Sequence, residues 1–230
     1  MTFKGTSKLV KLFKGTTKVK YIYKGTDKVW SGASIVSYYD GETLLGTQEI
    51  DEGVDVLRPN ITTAKEGYTL YGWGLTSDAT ERVESLVASG EPMTLYAIYT
   101  ANSVTAVSNG SIINSDYVTG SVYTSVSAFW STKSSTTYFQ LLKRRYQTAS
   151  CTVRSGFNNN STGNLQVGKG SIDGIIIGDW QTGGSEAYRT VQLNDGTHSL
   201  SVSCTSYEDY TQSGDIKVTS LVLSNPIAWG

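Results

Sequence analysis

From residue 101 to residue 230 the chain is a succession of short runs in which apolar and polar residues alternate: 103–108, 117–130, 136–147, 149–155, 174–180, 188–193, 198–206 and 215–224. Turn-forming groups separate these runs, namely Asn109-Gly110, Asn158 to Asn160, Gly183-Gly184 and Asp195-Gly196. Period-two alternation buries one face of each strand, and it carries no helical recurrence, so the strands must close over a core as stacked sheets. The expectation for 101–230 is a jelly-roll β-sandwich of ~130 residues. Abundant glycine (24) and tyrosine (15) with only 3 prolines extend the preference for strands and turns to the whole chain. The fold class is therefore all-β. At 230 residues the polypeptide is long enough for more than one unit.

The first 31 residues carry a different signature. Lys-Gly-Thr recurs at 4–6, 14–16 and 24–26, each copy preceded by an aromatic (Phe3, Phe13, Tyr23) and followed by a lysine and an aliphatic residue. Gly5, Gly15 and Gly25 can adopt the positive φ that a tight turn requires, so each decapeptide reads as a small hairpin. A strip this thin has little core and calls for a neighbouring domain, another copy or a docking surface. Eight lysines against Asp27 give residues 1–31 a net +7, whereas residues 32–100 carry eleven carboxylates against Arg58, Lys65 and Arg82, a net −8. The two blocks have the charges to pair with each other.

Residues 35–53 form two strand-like runs joined at Asp40-Gly41. An extended stretch with Pro59 follows, then Lys65–Gly74, a helical or irregular segment over 80–89, and a closing strand at 93–100. Trp73 reads as a core residue, because a module of this size needs large side chains to bury.

Three resemblances follow from these residues. The decapeptide Tyr23-Lys24-Gly25-Thr26-Asp27-Lys28-Val29-Trp30 resembles repeats at the ends of tail and head-decoration proteins of bacteriophages. That resemblance implies a particle anchor at Phe3, Lys4, Phe13, Lys14, Tyr23, Lys24 and Trp30. Tyr38-Tyr39-Asp40-Gly41, Leu44-Leu45, Gly53, Pro59, Lys65-Glu66-Gly67-Tyr68, Gly72-Trp73 and Leu95-Tyr96-Ala97 make 35–100 similar to the Listeria–Bacteroides repeat. This is a β-grasp-like module of adhesins and internalins, and it implies a spacer or adhesion unit. Gly196, His198, Gly214 and Asp215 stand where jelly-roll carbohydrate-binding domains carry Gly-x-His and Gly-Asp around their last strands. The expected division is thus 1–31 anchor, 32–100 β-grasp-like module and 101–230 jelly-roll sandwich.

Sugar rings stack on aromatic planes while flanking polar groups bind their hydroxyls. Aromatics near expected loops, Trp130, Trp180, Tyr207 and Tyr210, are the candidate glycan contacts, with a place at the end of core strands as the alternative for both tryptophans. Lys143-Arg144-Arg145 is expected within a strand, with its charges on opposite faces.

The chemistry of catalysis is poorly represented. His198 is the only histidine and so the only imidazole base, and neither a second histidine nor a close cysteine pair is present to build a zinc centre. Neighbouring carboxylates such as Glu208-Asp209 or Asp51-Glu52 do not meet across a cleft by sequence proximity, and Gly168-Lys169-Gly170-Ser171 lacks the spacing of a phosphate loop. No enzyme activity, metal site or cofactor is expected, with calcium left open. Cys151 and Cys204 read as a reduced buried pair, with a disulfide as the alternative. No apolar run reaches the ~18 residues of a membrane span, and the first residues lack the apolar stretch of a signal peptide, so a non-exported chain without membrane contact is expected. The regular lysines sit at turn edges, where they protect strands from aggregation, and nucleic acid is not an expected partner. Together these readings point to a virion-located phage structural protein, a capsid decoration, head fibre or tail-associated fibre. Its expected partners are capsid or tail proteins, copies of itself (a trimer favoured) and a host-surface glycan. A bacterial surface adhesin or carbohydrate-binding protein is the alternative.

Overall fold

A computed structural model describes residues 13–14, 17–18, 21–158, 167–180, 185–207 and 211–230, the strands before Gly32 by their backbone alone. The described residues form strands, turns and bends, without a helix. They fall into two compact units, Met1–Thr100 with Ala228–Gly230, and Ala101–Ile227. Ala228–Gly230, at the end of the run expected to form the sandwich, group with the first unit.

In the first unit, β1 (Phe13–Lys14) pairs with β2 (Thr17–Lys18), and β3 (Tyr21–Lys24) with β4 (Asp27–Ser31), both antiparallel. Lys24 and Asp27 pair across a turn in which Gly25 has φ 66°, as the third repeat requires. Phe3 and Lys4 lie outside the described residues, as do the side chains of Phe13, Lys14, Tyr23, Lys24 and Trp30.

Four strands follow: β5 (Ala33–Asp40), β6 (Thr43–Asp51), β7 (Tyr68–Gly74) and β8 (Met93–Ala101). Their order is β6-β5-β8-β7, with β5 and β8 parallel at the centre, the strand order of a β-grasp sheet. Among the described residues no helix covers this sheet. Residues 75–92 are irregular, and hydrogen bonds from Gly53 N to Ala88 O (2.8 Å) and Val56 N to Leu86 O (3.1 Å) lay that segment against 53–56. Between them lies a core of Val36, Tyr38, Val56, Leu57, Trp73, Ala88 and Leu95. Trp73 is 0 % exposed, the core position expected for it.

The return of the chain end supplies the rest of this core. Trp229 packs against it, donates from its indole N–H to Leu57 O (2.9 Å) and from its backbone N–H to Leu70 O (2.9 Å). The Arg82 guanidinium lies over Trp229 at 5.1 Å and over Tyr71 at 4.7 Å from the ring centroids. Gly72 makes room for this stack, since a Cβ there would stand 2.8 Å from Arg82 Cβ and 3.2 Å from Trp229 Cε3. Replacing Trp229 with alanine is expected to lower the stability of this unit by about 2 kcal/mol, through lost packing and one lost hydrogen bond. Guanidinium unfolding followed by near-UV circular dichroism measures it.

The second unit contains β9 (Ser103–Ser108), β10 (Ser111–Ile112), β11 (Val118–Gly120), β12 (Tyr123–Ala128), β13 (Thr132–Leu141) and β14 (Tyr146–Asn158). It continues with β15 (Val167–Ile172), β16 (Ile175–Trp180), β17 (Ser185–Gln192), β18 (Gly196–Thr205) and β19 (Gln212–Pro226). Two antiparallel sheets result. One runs β10-β9-β19-β14-β17 with β12 also paired to β19, and the other runs β11-β13-β18-β15-β16. Inward residues of both, among them Val153, Leu200, Val202, Ile216, Val218 and Leu221, share one core. This is the two-sheet sandwich that the alternation implies.

Two local expectations are corrected. Lys143-Arg144-Arg145 is not in a strand: β13 stops at Leu141, and the triplet forms the connection to β14, with Arg144 at φ 51°. A turn keeps three adjacent cations off the core face, and Arg144 Nε donates to Asp116 O (2.7 Å) while Lys143 Nζ donates to Gln147 O (3.0 Å). The run 117–130 is likewise two strands, broken at Gly120 (φ 103°), where a Cβ would stand 2.6 Å from Tyr138 O. Cys151 and Cys204 are free thiols, buried in separate clusters.

Candidate glycan-binding end of the sandwich

The strand registers gather four connections at one end of the sandwich. Ala128 at the end of β12 pairs with Gln212 at the start of β19, and Thr132 at the start of β13 pairs with Thr205 at the end of β18. Trp180 closes β16 opposite Gly168, and Phe157 pairs with Ser185 at the start of β17. Aromatics that are up to 77 positions apart in sequence, Trp130 and Tyr207, therefore lie on neighbouring connections. A hydrogen bond from Ser206 N to Ser131 O (3.0 Å) ties those connections together.

Trp130 is 59 % exposed on the β12–β13 turn, at φ 46°, and Tyr207 is 57 % exposed just after β18. Trp180 takes the alternative role. It ends β16, is half-buried and stacks on Phe157 with ring centroids 6.1 Å apart and planes 11° from parallel. Glycines clear the space for both rings, since a Cβ at Gly168 would overlap Phe157 and one at Gly178 would overlap Trp180. Tyr210 lies outside the described residues. Trp130 and Tyr207 are thus exposed, and Trp180 is partly covered by Phe157.

Next to this end a groove of about 420 Å³ opens among β14, β17 and β19. Arg154, Glu186 and Asp215 line it. Arg154 Nη1 donates to Asp215 Oδ2 at 2.6 Å, and Nη2 donates to Glu186 Oε1. Tyr188 O–H donates to the other Glu186 oxygen, Oε2, at 3.0 Å. The hydrogen bond from Arg154, followed by that from Tyr188, holds the Glu186 carboxyl below the usual carboxylate range. The same bond raises Arg154, so the pair stays ionised. Gly156 lies beneath this ion pair, where a Cβ would stand 2.6 Å from both Arg154 Nη2 and Asp215 Oδ1.

Asp215, expected in a Gly-Asp pair preceding the last strand, lies inside β19, and Arg154, Glu186 and Tyr188 join it without any local sequence motif. The signal was there in the alternation: 154 and 156, 186 and 188, and 213 and 215 occupy one face of three neighbouring strands.

His198 is 8 % exposed, with Nδ1 2.6 Å from Asp173 Oδ2 and Nε2 2.9 Å from Asn194 O. Both ring nitrogens are engaged by acceptors and neither faces a nucleophile, so the imidazole pins the β15–β16 turn to β18. Among the described residues no group of three or more metal-ligating side chains forms.

No protein-family model matches this sequence, and no curated protein matches it. Among solved structures, the chain is similar to latent PorU from Porphyromonas gingivalis at 11 % identity and TM-score 0.27, over 54 % of this chain and 13 % of that one. A family 35 carbohydrate binding module from an environmental isolate matches at 14 % identity and TM-score 0.24, over 54 % of this chain and 77 % of that one. The CBM36-1 domain of a multidomain xylanase from the hindgut metagenome of Trinervitermes trinervoides matches at 15 % and TM-score 0.22, over 54 % and 95 %. Likenesses of this extent carry no ligand across to this chain.

Proposed function

We propose that this chain is a bacteriophage structural protein, a capsid decoration, head fibre or tail-associated fibre. Its lysine-repeat N-terminus holds it on the particle, and its sandwich presents the aromatic end to host-surface glycans. The observation that carries the adhesive half is the meeting of exposed Trp130 and Tyr207 at one end of a sandwich, beside a groove of charged hydrogen-bonding groups. Flat aromatic faces next to fixed donors and acceptors are what a pyranose ring needs, with its apolar face and its rim of hydroxyls. Support for the particle anchor comes from the decapeptide repeat, a cationic strip that asks for a docking surface.

The test uses full-length protein and two variants. In one, Lys4, Lys14 and Lys24 become glutamate, and in the other Trp130 and Tyr207 become alanine. Light scattering coupled to size exclusion, binding to phage particles and a glycan array are read for each. The wild type is expected to be oligomeric, to bind particles and to bind a defined set of glycans. The lysine variant should lose the particle and keep the glycans. The aromatic variant should keep the particle and lose at least tenfold in glycan affinity, equivalent to ~1.4 kcal/mol. A monomer that binds glycans and ignores particles would overturn the virion reading in favour of a surface adhesin.

A further inference from the structure

The aromatic end of the sandwich continues into one face of a sheet. β13 starts at Thr132, two residues after Trp130, and β18 stops at Thr205, two residues before Tyr207. These strands pair with each other, and Phe139, Leu141, Leu200, Val202 and Cys204 on them are buried. The alternate register pairs, from Thr132 with Thr205 to Gln140 with Thr197, therefore face away from the core. These five pairs consist of serine, threonine, tyrosine and glutamine alone, with no charge among them. Lys133, the one cation of β13, belongs to the opposite set, in register with buried Cys204.

The outward face of the other sheet is different. It carries Arg154, Glu186, Asp215 and Lys217, the mixture of signs that keeps a solvated face from associating. The β13–β18 face has hydroxyls in their place, and among them Tyr138, 60 % exposed on an inner strand of its sheet.

Resting on the glycan reading above, we infer that the outward face of the β13–β18 pair is a track for an extended glycan. A linear oligosaccharide held at Trp130 and Tyr207 runs along the two strands and stacks a distal sugar on Tyr138.

Length and chemistry both favour this occupant. From Thr132 to Tyr138 the face runs ~20 Å at the ~3.4 Å rise of an antiparallel strand, beyond the reach of a disaccharide. The Thr132 and Thr205 hydroxyls stand 3.0 Å apart, as do those of Thr136 and Ser201. A hydroxyl has one donor and two lone pairs, so each such pair, after its mutual bond, still offers one O–H and three lone pairs. Sugar hydroxyls also donate and accept, so they fit a row of such pairs in either direction. The Thr197 hydroxyl donates to Gln140 Oε1 at 2.7 Å, which leaves the Gln140 amide N–H groups to donate beyond Tyr138. The tyrosine ring supplies the flat apolar surface on which a pyranose face rests.

The experiment uses full-length protein on a glycan array that carries linear oligosaccharides from di- to octasaccharide. Titration calorimetry follows with the di- and hexasaccharide of the best-bound series. The hexasaccharide is expected to bind about tenfold or more tightly than the disaccharide. Tyr138→Ala should remove most of that gain and Tyr138→Phe should keep it, while Thr136→Val, which exchanges a hydroxyl for a methyl, should weaken the hexasaccharide severalfold. Far-UV circular dichroism confirms that each variant is folded. Equal affinity for all lengths would overturn the track and leave the glycan reading standing. So would a Tyr138→Ala protein that binds the hexasaccharide as wild type does, and if that variant also changed its size in light scattering, the face would belong to a second copy of the chain. Absence of binding to every glycan would remove the reading and the inference together.

Discussion

Replacing Trp73 with alanine is expected to cost the N-terminal unit about 3–5 kcal/mol, the range for emptying a buried large aromatic. Domains of this size have total stabilities of only ~5–15 kcal/mol. Trp73 is fully buried and meets Tyr38 edge-on, with centroids 5.1 Å apart and planes at 69°. Tyr38 in turn anchors the irregular segment through a bond from its hydroxyl to Val56 O of 2.7 Å. Without the indole, the ring that positions that hydroxyl loses its support. The indole N–H has no hydrogen-bond partner, so the loss is one of volume and contact, and Trp73→Phe should recover most of it. Differential scanning calorimetry of the full chain separates the outcomes, because the two units have distinct cores and should melt in distinct transitions. Only the transition of the N-terminal unit should move. A variant that melts as wild type would mean that the sheet is held by its edges and turns and not by this core.

The alternation in 101–230 was legible because every strand of a two-sheet sandwich has one wet face and one dry face, so period two is written into residues such as Leu200, Val202 and Cys204. Tight turns were legible for a similar local reason: Asn109 and Gly110 have φ 45° and 78°, values that few other residues accept. What sequence could not give was long-range partnership. The parallel pairing of β5 with β8 joins residues more than fifty positions apart, and nothing local in either strand names the other. Nothing near Trp229 in sequence names its partners, Leu57, Leu70 and Arg82, which are set by the tertiary fold. The candidate site divides the same way. Trp130 and Tyr207 were visible as aromatics outside the alternation, but the Arg154 groove needs three strands in register before it exists. Glu186 and Tyr188 reach Arg154 only because β17 lies in register beside β14.

Alkaline pH should unfold both units as their buried hydroxyl and thiol groups are forced to ionise. Burial pushes the Tyr38 hydroxyl from 10.0 up to about 12, with the Asp55 charge adding to it. Burial likewise raises Tyr146 to about 12, aided by Tyr117, whose ring stands edge-on at 5.7 Å. Burial again, with a contribution from Asp173, moves the Cys151 thiol from 9.0 to about 12. The sign follows from proton counting. Above pH 9 for the thiol and above pH 10 for the tyrosines the unfolded chain releases protons that the folded chain retains, so stability is fully present below those values. It is lost progressively as pH rises towards 12. The melting temperatures should therefore be level from pH 7 to 9 and fall steeply above 10, in the N-terminal unit through Tyr38 and in the sandwich through Tyr146 and Cys151. Tyrosinate absorbance offers an independent readout: of the fifteen tyrosines, Tyr38 and Tyr146 should ionise only together with loss of near-UV ellipticity. Tyr38→Phe should flatten the alkaline limb of the N-terminal unit alone, at the expense of lower stability at pH 7, where the bond to Val56 O is missing. A wild-type N-terminal transition that stays level to pH 11 would mean that Tyr38 reaches solvent in the folded protein, and the closed β-grasp core would have to be redrawn.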